Sequence, residues 1–145
     1  MTSPTRIKVS DLLTKTGRKD YISLSLRSFP QLDDLRDPGC PITCEINLHS
    51  LPDGIIVTLC NVRTEFILTS DLSGKQYRFP VHVSSYEIKF LGNINDALNE
   101  INDTVFPLDT IHGTIDIADP LEHCLRLCLP VQCLAPGEVI EEDDN

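Results

Sequence analysis

The sequence predicts a mainly β fold with some helix (α+β): an antiparallel meander curled into an open barrel or two-layer sandwich, with two or three short helices. Three observations point there. Apolar residues alternate with period two through the first half of the chain, compact turn signals separate the alternating runs, and one clean helical stripe appears near the end.

The elements follow in order. Residues 21–27 (YISLSLR) alternate strictly and put Ile22, Leu24 and Leu26 on one face. A loop rich in Asp and Pro follows, FPQLDDLRDPGCP. Residues 42–51 alternate again, with Ile42, Cys44, Ile46 and Leu48 facing inward. Pro52-Asp53-Gly54 is a turn that hands over to a strand IIVTLCNV. A further strand, TEFILT, covers 64–69, residues 71–74 make the next turn, and YRFPVHV runs back. Connections this short join antiparallel neighbours. Pro80 inside the returning strand marks a sheet edge or a bulge, because it cannot donate to a ladder. Between 93 and 104, Ile94, Ala97, Leu98 and Ile101 recur at helical spacing, with Asn95 as a cap. A strand over Ile115-Asp116-Ile117 then leads directly into a helix. Asp119 is its expected cap, Pro120 suits its first turn, and Glu122 lies three residues past the cap. Leu121, Cys124, Leu125 and Cys128 form its apolar stripe, and Pro130 stops it. Burying that stripe on the sheet contributes on the order of 4–8 kcal/mol before entropy is subtracted. Residues 1–137 read as one domain, and 138–145 (EVIEEDDN) as an acidic tail expected to be disordered.

Composition narrows the function classes. The chain has 145 residues, enough for one domain with a substantial core. No run approaches the roughly 20 apolar residues of a membrane span. The N-terminal basic residues are not followed by a long apolar stretch, so no secretory signal is expected and a cytoplasmic location is the default. The net charge of −10 is unevenly spread. Residues 1–28 carry six basic side chains against Asp11 and Asp20, a balance of +4; residues 29–90 come to −3; residues 91–145 reach −11, with Arg126 the lone cation. An anionic lobe repels phosphate and favours a basic protein partner. Contacts to nucleic acid therefore belong to the N-terminal third, where Lys15, Arg18, Lys19 and Arg27 are the candidates; a solvated turn is the plainer reading for the first three.

Six cysteines stand at 40, 44, 60, 124, 128 and 133. Cys40 and Cys44 with Cys124 and Cys128, helped by His123 or Cys133, could in principle hold zinc. The C-x3-C spacing lacks the turn residues of a zinc knuckle, and Cys124 and Cys128 lie on an apolar stripe, so packed thiols are the expectation. No metal and no cofactor is expected. G-x-x-x-x-G-K, G-x-G-x-x-G, G-x-S-x-G and H-E-x-x-H are all absent, and Trp is missing. A small sheet with few aromatics and no nucleophile motif reads as a binding or assembly module, not an enzyme.

Four segments in sequence order resemble the YceD-like family, the large ribosomal RNA subunit accumulation proteins. Ile7, Val9 and Leu12 with Gly17 soon after are similar to its opening. PITCEINLHSLPDGIIVTL resembles its pair of strands around an acidic-Gly turn, and FILTSDLSGKQYRFPV its strand and hairpin. IDIADPLEHCLRLCLPVQC resembles its closing I-D-L…E…L-x-L-P element. Where the family hairpin has Cys, Arg and Cys, this chain has Ser70, Leu72 and Ser73. Members can also carry a cysteine-rich C-terminal segment, which Cys133 would echo. The resemblance implies a non-enzymatic role in large-subunit assembly and 23S rRNA accumulation, with ribosomal RNA or a basic large-subunit ribosomal protein as partner. A small zinc-binding or protein-interaction module of unrelated role is the alternative.

Overall fold

A computed structural model describes residues 4–37, 39–92, 105–130 and 132–138. The predicted class is what is found: mainly β, with two helices among the described residues and an open sheet instead of a closed barrel. A five-stranded sheet runs in the order β2 (Lys19–Leu26), β3 (Ile42–Leu51), β4 (Gly54–Thr69), β5 (Gln76–Leu91), β6 (Val105–Pro107). From β2 to β5 the order is a meander of antiparallel neighbours, with short turns between β3 and β4 and between β4 and β5 and a long loop over 27–41 between β2 and β3, while β6 joins β5 in parallel. A second, two-stranded sheet pairs β1 (Arg6–Lys8) with β7 (Thr114–Asp116). Helices α1 (Ser10–Leu13) and α2 (Ala118–Arg126) complete the described elements.

The inner face is the alternation written in the sequence. Ile42, Cys44, Ile46 and Leu48 of β3 are all buried, and Ile22 and Leu24 of β2 pack against them half-buried. Pro80 falls where predicted: it faces Glu65 of β4, along a stretch of β5 with no strand on its other side among the described residues.

β4 departs from expectation. The runs over 55–62 and 64–69 are one 16-residue strand, not two. Ile55, Val57 and Leu59 point inward at odd numbers, whereas Val62, Thr64, Phe66 and Leu68 do so at even ones. The switch comes from a β-bulge at Asn61, which sits in the left-handed region at φ 50°, where the register against β3 slips by one residue. Asn tolerates that conformation better than most side chains, and a bulge of this kind bends and twists its strand. Beyond it, β4 leaves β3 and is flanked by the loop after β2: Asp37 N–H donates to the Glu65 carbonyl at 2.9 Å and Ile67 N–H to the Leu35 carbonyl at 2.7 Å. That loop is more than a polar connection. Phe29 and Leu32 are buried beneath it, and Arg36, 4% exposed, donates to the carbonyls of Cys40 and Arg27 and to Asp33.

α2 packs on β5, where the His123 ring meets the Tyr86 ring at 6.3 Å between centroids. Leu121, Cys124 and Leu125 are buried and Cys128, just past the helix end, is half-buried against the core, so the predicted stripe is the docking face. Its cap is different. The helix begins at Ala118, and Asp116 rather than Asp119 serves its first turn, its Oδ1 accepting from Ala118 N–H at 2.9 Å and from the Thr5 hydroxyl at 2.7 Å. Glu122, freed from a capping role, pairs with Arg126 at 3.3 Å one turn on. The helical pattern over Ile94, Ala97, Leu98 and Ile101, and most of the acidic tail, lie outside the described residues.

Candidate functional site

The turn between α1 and β2 carries three of the four cationic candidates. Gly17, at φ +88°, lets the chain reverse, and its N–H donates to the Ser50 carbonyl at 2.9 Å while Ser50 N–H donates to the Arg18 carbonyl. This pins the turn to the end of β3 and leaves Lys15, Arg18 and Lys19 exposed together. Arg27 does not join them. It follows the far end of β2, about 26 Å away at the rise of an extended strand, where its carbonyl receives the Arg36 guanidinium at 2.7 Å.

Topology also mixes the charges that the sequence keeps apart. Pairing of β1 with β7 sets Arg6 directly across from Asp116, and Arg6, Asp109, Asp116 and Asp119 rim one groove beside Phe90 and Phe106. Asp109 lies 2.8 Å from His112 Nδ1, and its carboxyl sits below the usual range because the His112 backbone N–H donates to it. The basic front and acidic rear of the chain are therefore interleaved at this end, and Lys15, Arg18 and Lys19 lie in a separate turn.

The hairpin tip between β4 and β5 holds Ser70, Leu72 and Ser73. Ser70 is 3% exposed and acts as a hub: its Oγ accepts from the backbone N–H of Leu72 and of Ser73 at 3.1 Å each and donates to Glu138. Glu138 in turn accepts from Ala135 N–H at 2.7 Å, and the Ser70 hydroxyl, first among its partners, holds its carboxyl below the usual range. Asp71 and Cys133 exchange two bonds, Asp71 N–H to the Cys133 carbonyl at 2.7 Å and Cys133 N–H to the Asp71 carboxylate at 2.8 Å. The C-terminal segment is thus laced onto the tip. Leu72, 57% exposed, projects from it without charge.

The core brings Cys44 near Cys124, one turn from Cys128, so these thiols interact. Cys40 lies in the loop before β3, and Cys44 and Cys124 are buried in the core from opposite layers. Among the described residues no three His, Cys, Asp or Glu side chains form a group able to hold a metal. Burial pushes the Cys44 thiol up to about 11 and the Cys124 thiol up to about 12, which opposes the thiolate that metal binding or nucleophilic chemistry needs. The same shifts set a pH dependence. Below an ordinary thiol pKa near 9 both states keep their protons and nothing changes; above it the unfolded chain ionises while the folded one does not. Stability should therefore be level to about pH 9 and then fall by about 1.4 kcal/mol per pH unit for each thiol until its folded pKa is reached. Urea midpoints at pH 7, 9 and 10.5 check this, and a C44A/C124A variant should show a shallower alkaline slope, the remainder coming from Cys128, Tyr21 and Tyr77, which are raised in the same sense.

One surface has no counterpart among the sequence-predicted sites. On the solvent side of the sheet, Ser23, Ser25, Thr43, Glu45, Asn61 and Arg63 surround an open concavity of about 480 Å³ centred on the bulge. Asn61 Nδ2 donates to Glu45 at 3.0 Å, and His82 Nε2 lies 3.4 Å from Asn61 Oδ1. Tyr21, whose phenol is raised chiefly by its hydrogen bond with Glu45, stands nearby and 54% exposed. Its signal in the sequence is the change of apolar parity between Leu59 and Val62. These amide, hydroxyl, guanidinium and carboxylate groups make a hydrogen-bonding surface.

Among the described residues no helix is long and apolar enough to cross a membrane. Compared with protein-family models, with curated proteins and with solved structures, the chain matches nothing in any of the three.

Proposed function

We propose that this protein is a non-enzymatic ribosome-biogenesis factor that supports 23S rRNA accumulation and large-subunit assembly by binding a basic large-subunit ribosomal protein, ribosomal RNA, or both. The observation that carries this reading is the junction of the hairpin tip with the C-terminal segment. The hairpin tip, where Ser70 and Ser73 stand in place of the resembled family's cysteines, meets the stretch beginning at Cys133, more than sixty residues further on, through the Asp71–Cys133 and Ser70–Glu138 bonds. Positions that the resemblance singles out far apart in sequence are thus neighbours in space. In this chain hydroxyl and carboxylate groups fill that junction, so the tip acts without the thiols and without the arginine.

Electrostatics separates the two partners. Three exposed cations at 15–19 correspond to a log–log salt slope of only about −2 to −3, which is weak for RNA binding unaided. The C-terminal balance of −11 outweighs them and suits a basic ribosomal protein held before it meets RNA. Capture of the full chain from its source organism at 0.1 M salt, with and without nuclease, tests this. A basic large-subunit protein should remain after nuclease and leave in 0.5 M salt. Recovery of neither a large-subunit protein nor 23S rRNA contradicts the proposal.

A further inference from the structure

We propose that β2 is an association edge, and that its occupant is the β2 strand of a second copy of this chain, paired antiparallel about a two-fold axis at Leu24. Sheets usually guard their open edges. In the five-stranded sheet the opposite edge among the described residues is guarded: β5 carries Pro80 and the short β6 ends in Pro107. β2 is not. Residues 21–26 (YISLSL) contain no charge, no Pro and no Gly, and their register against β3 is unbroken. Long, flat strands of high β propensity left open pair with other strands.

The backbone groups available are known from the ladder. Ser50 N–H bonds to the Arg18 carbonyl, so with period two the even residues of β2 face β3 and the odd ones face outward. Two bonds agree: Tyr21 N–H turns away to its neighbour's carboxylate, Asp20 Oδ1, at 2.8 Å, and the Arg27 carbonyl takes the Arg36 guanidinium. Among the described residues the main-chain groups of Ser23 and Ser25 have no partner outside the β2–β3 ladder. Ile22 and Leu24 are only half-buried, while Cys44 and Ile46 opposite them on β3 are fully buried, so a further strand would finish covering this face.

The sequence selects the occupant, because it is nearly a palindrome about Leu24. An antiparallel copy centred there sets Leu24 against the partner's Leu24, Ile22 against the partner's Leu26, Ser23 against the partner's Ser25, and Tyr21 against the partner's Arg27. Apolar positions meet apolar ones, odd outward-facing backbone meets odd, and each tyrosine ring meets a guanidinium. Centring on Ser23 would set Lys19 against the partner's Arg27, and centring on Ile22 would set Leu24 against the partner's Asp20. Charge and polarity reject both. One strand pair covers less than the roughly 800 Å² per partner of a standard interface, so the dimer should be reversible and micromolar.

Sedimentation velocity on the full chain from 1 to 200 µM reads the result. A monomer–dimer equilibrium that persists in 0.5 M NaCl is expected, since main-chain bonds and apolar contacts are weakly screened. S23K/S25K leaves the core untouched, because both side chains are exposed, yet sets ammonium against ammonium across the axis twice, and should weaken dimerisation at least tenfold. S23K/S25E has opposite charges at the same positions and should restore it. A strictly monomeric chain at 200 µM overturns the proposal, as does a dimer unaffected by S23K/S25K or one that dissolves in salt. Circular dichroism and melting confirm that both variants are folded.

Discussion

Gly54→Ala should cost about 3 kcal/mol or more and lower the melting temperature by about 10 °C. Gly54 opens β4 directly after the turn at 52–53, paired with Leu91 of β5 and buried. A Cβ there would lie 1.9 Å from the Phe90 carbonyl oxygen and 2.9 Å from its carbon. Those are backbone atoms of a strand held along its whole length by β4, and the Gly92 N–H bond to the Asp53 carbonyl at 3.0 Å ties the turn to the same place. No side chain can swing aside, so two strands must separate. Gly17→Ala is the control. Its Cβ meets no described atom within 4 Å, and the change costs only the strain of φ +88°, about 1 kcal/mol. Thermal melts of the two variants compare crowding with backbone strain, and equal melting temperatures would mean that the turn does not sit against β5.

Leu121→Ala should cost about 3 kcal/mol, a large part of a typical domain's stability. Leu121 is fully buried in the first turns of α2 and belongs to the same core as Ile46, Ile88 and Ile115. Truncation removes apolar contact and leaves a cavity that strands on one side and a capped helix on the other cannot close. Leu127, 65% exposed one residue past the helix, should be neutral to within about 0.5 kcal/mol on the same change. Urea unfolding of both variants checks the difference. Comparable midpoints for L121A and L127A would mean that α2 is not a docked element.

Local pattern was legible where a single face decides the side chain. The inward parity of Ile42 to Leu48, the α2 stripe and the edge position of Pro80 follow from periodicity and missing donors alone. Long-range pairing was not. Nothing near Ile7 announces that its strand will pair with Ile115, more than a hundred residues on, because each strand is only three residues long. That pairing brings Asp116 to Thr5, and the helix begins at Ala118, two residues after Asp116, so Asp116 serves its first turn in place of Asp119. The bulge hid for a related reason. The run IIVTLCNV reads as a strand ending at Val62 unless the shift of apolar parity across Asn61 is counted. Composition marks 29–41 only as a loop rich in Asp and Pro, yet Arg36 is buried there as a clamp on two carbonyls, a role set by the fold and not by local composition.

The candidate surfaces divide the same way. Lys15, Arg18 and Lys19 stay together because one glycine turn carries them, whereas Arg27, grouped with them by charge, is carried off by the length of β2. Ser70, Leu72 and Ser73 were marked only by their place in a resembled hairpin. The bonds of this tip, Asp71 with Cys133 and Ser70 with Glu138, are tertiary, and no local signal encodes them.

The proposed role in large-subunit assembly is tested most directly by depleting the protein in its source organism and resolving ribosomal particles on sucrose gradients, with 23S rRNA measured alongside. Loss of 50S particles and of 23S rRNA, with 30S particles retained, is the predicted result. Normal 50S and 23S levels in cells lacking the protein would contradict it.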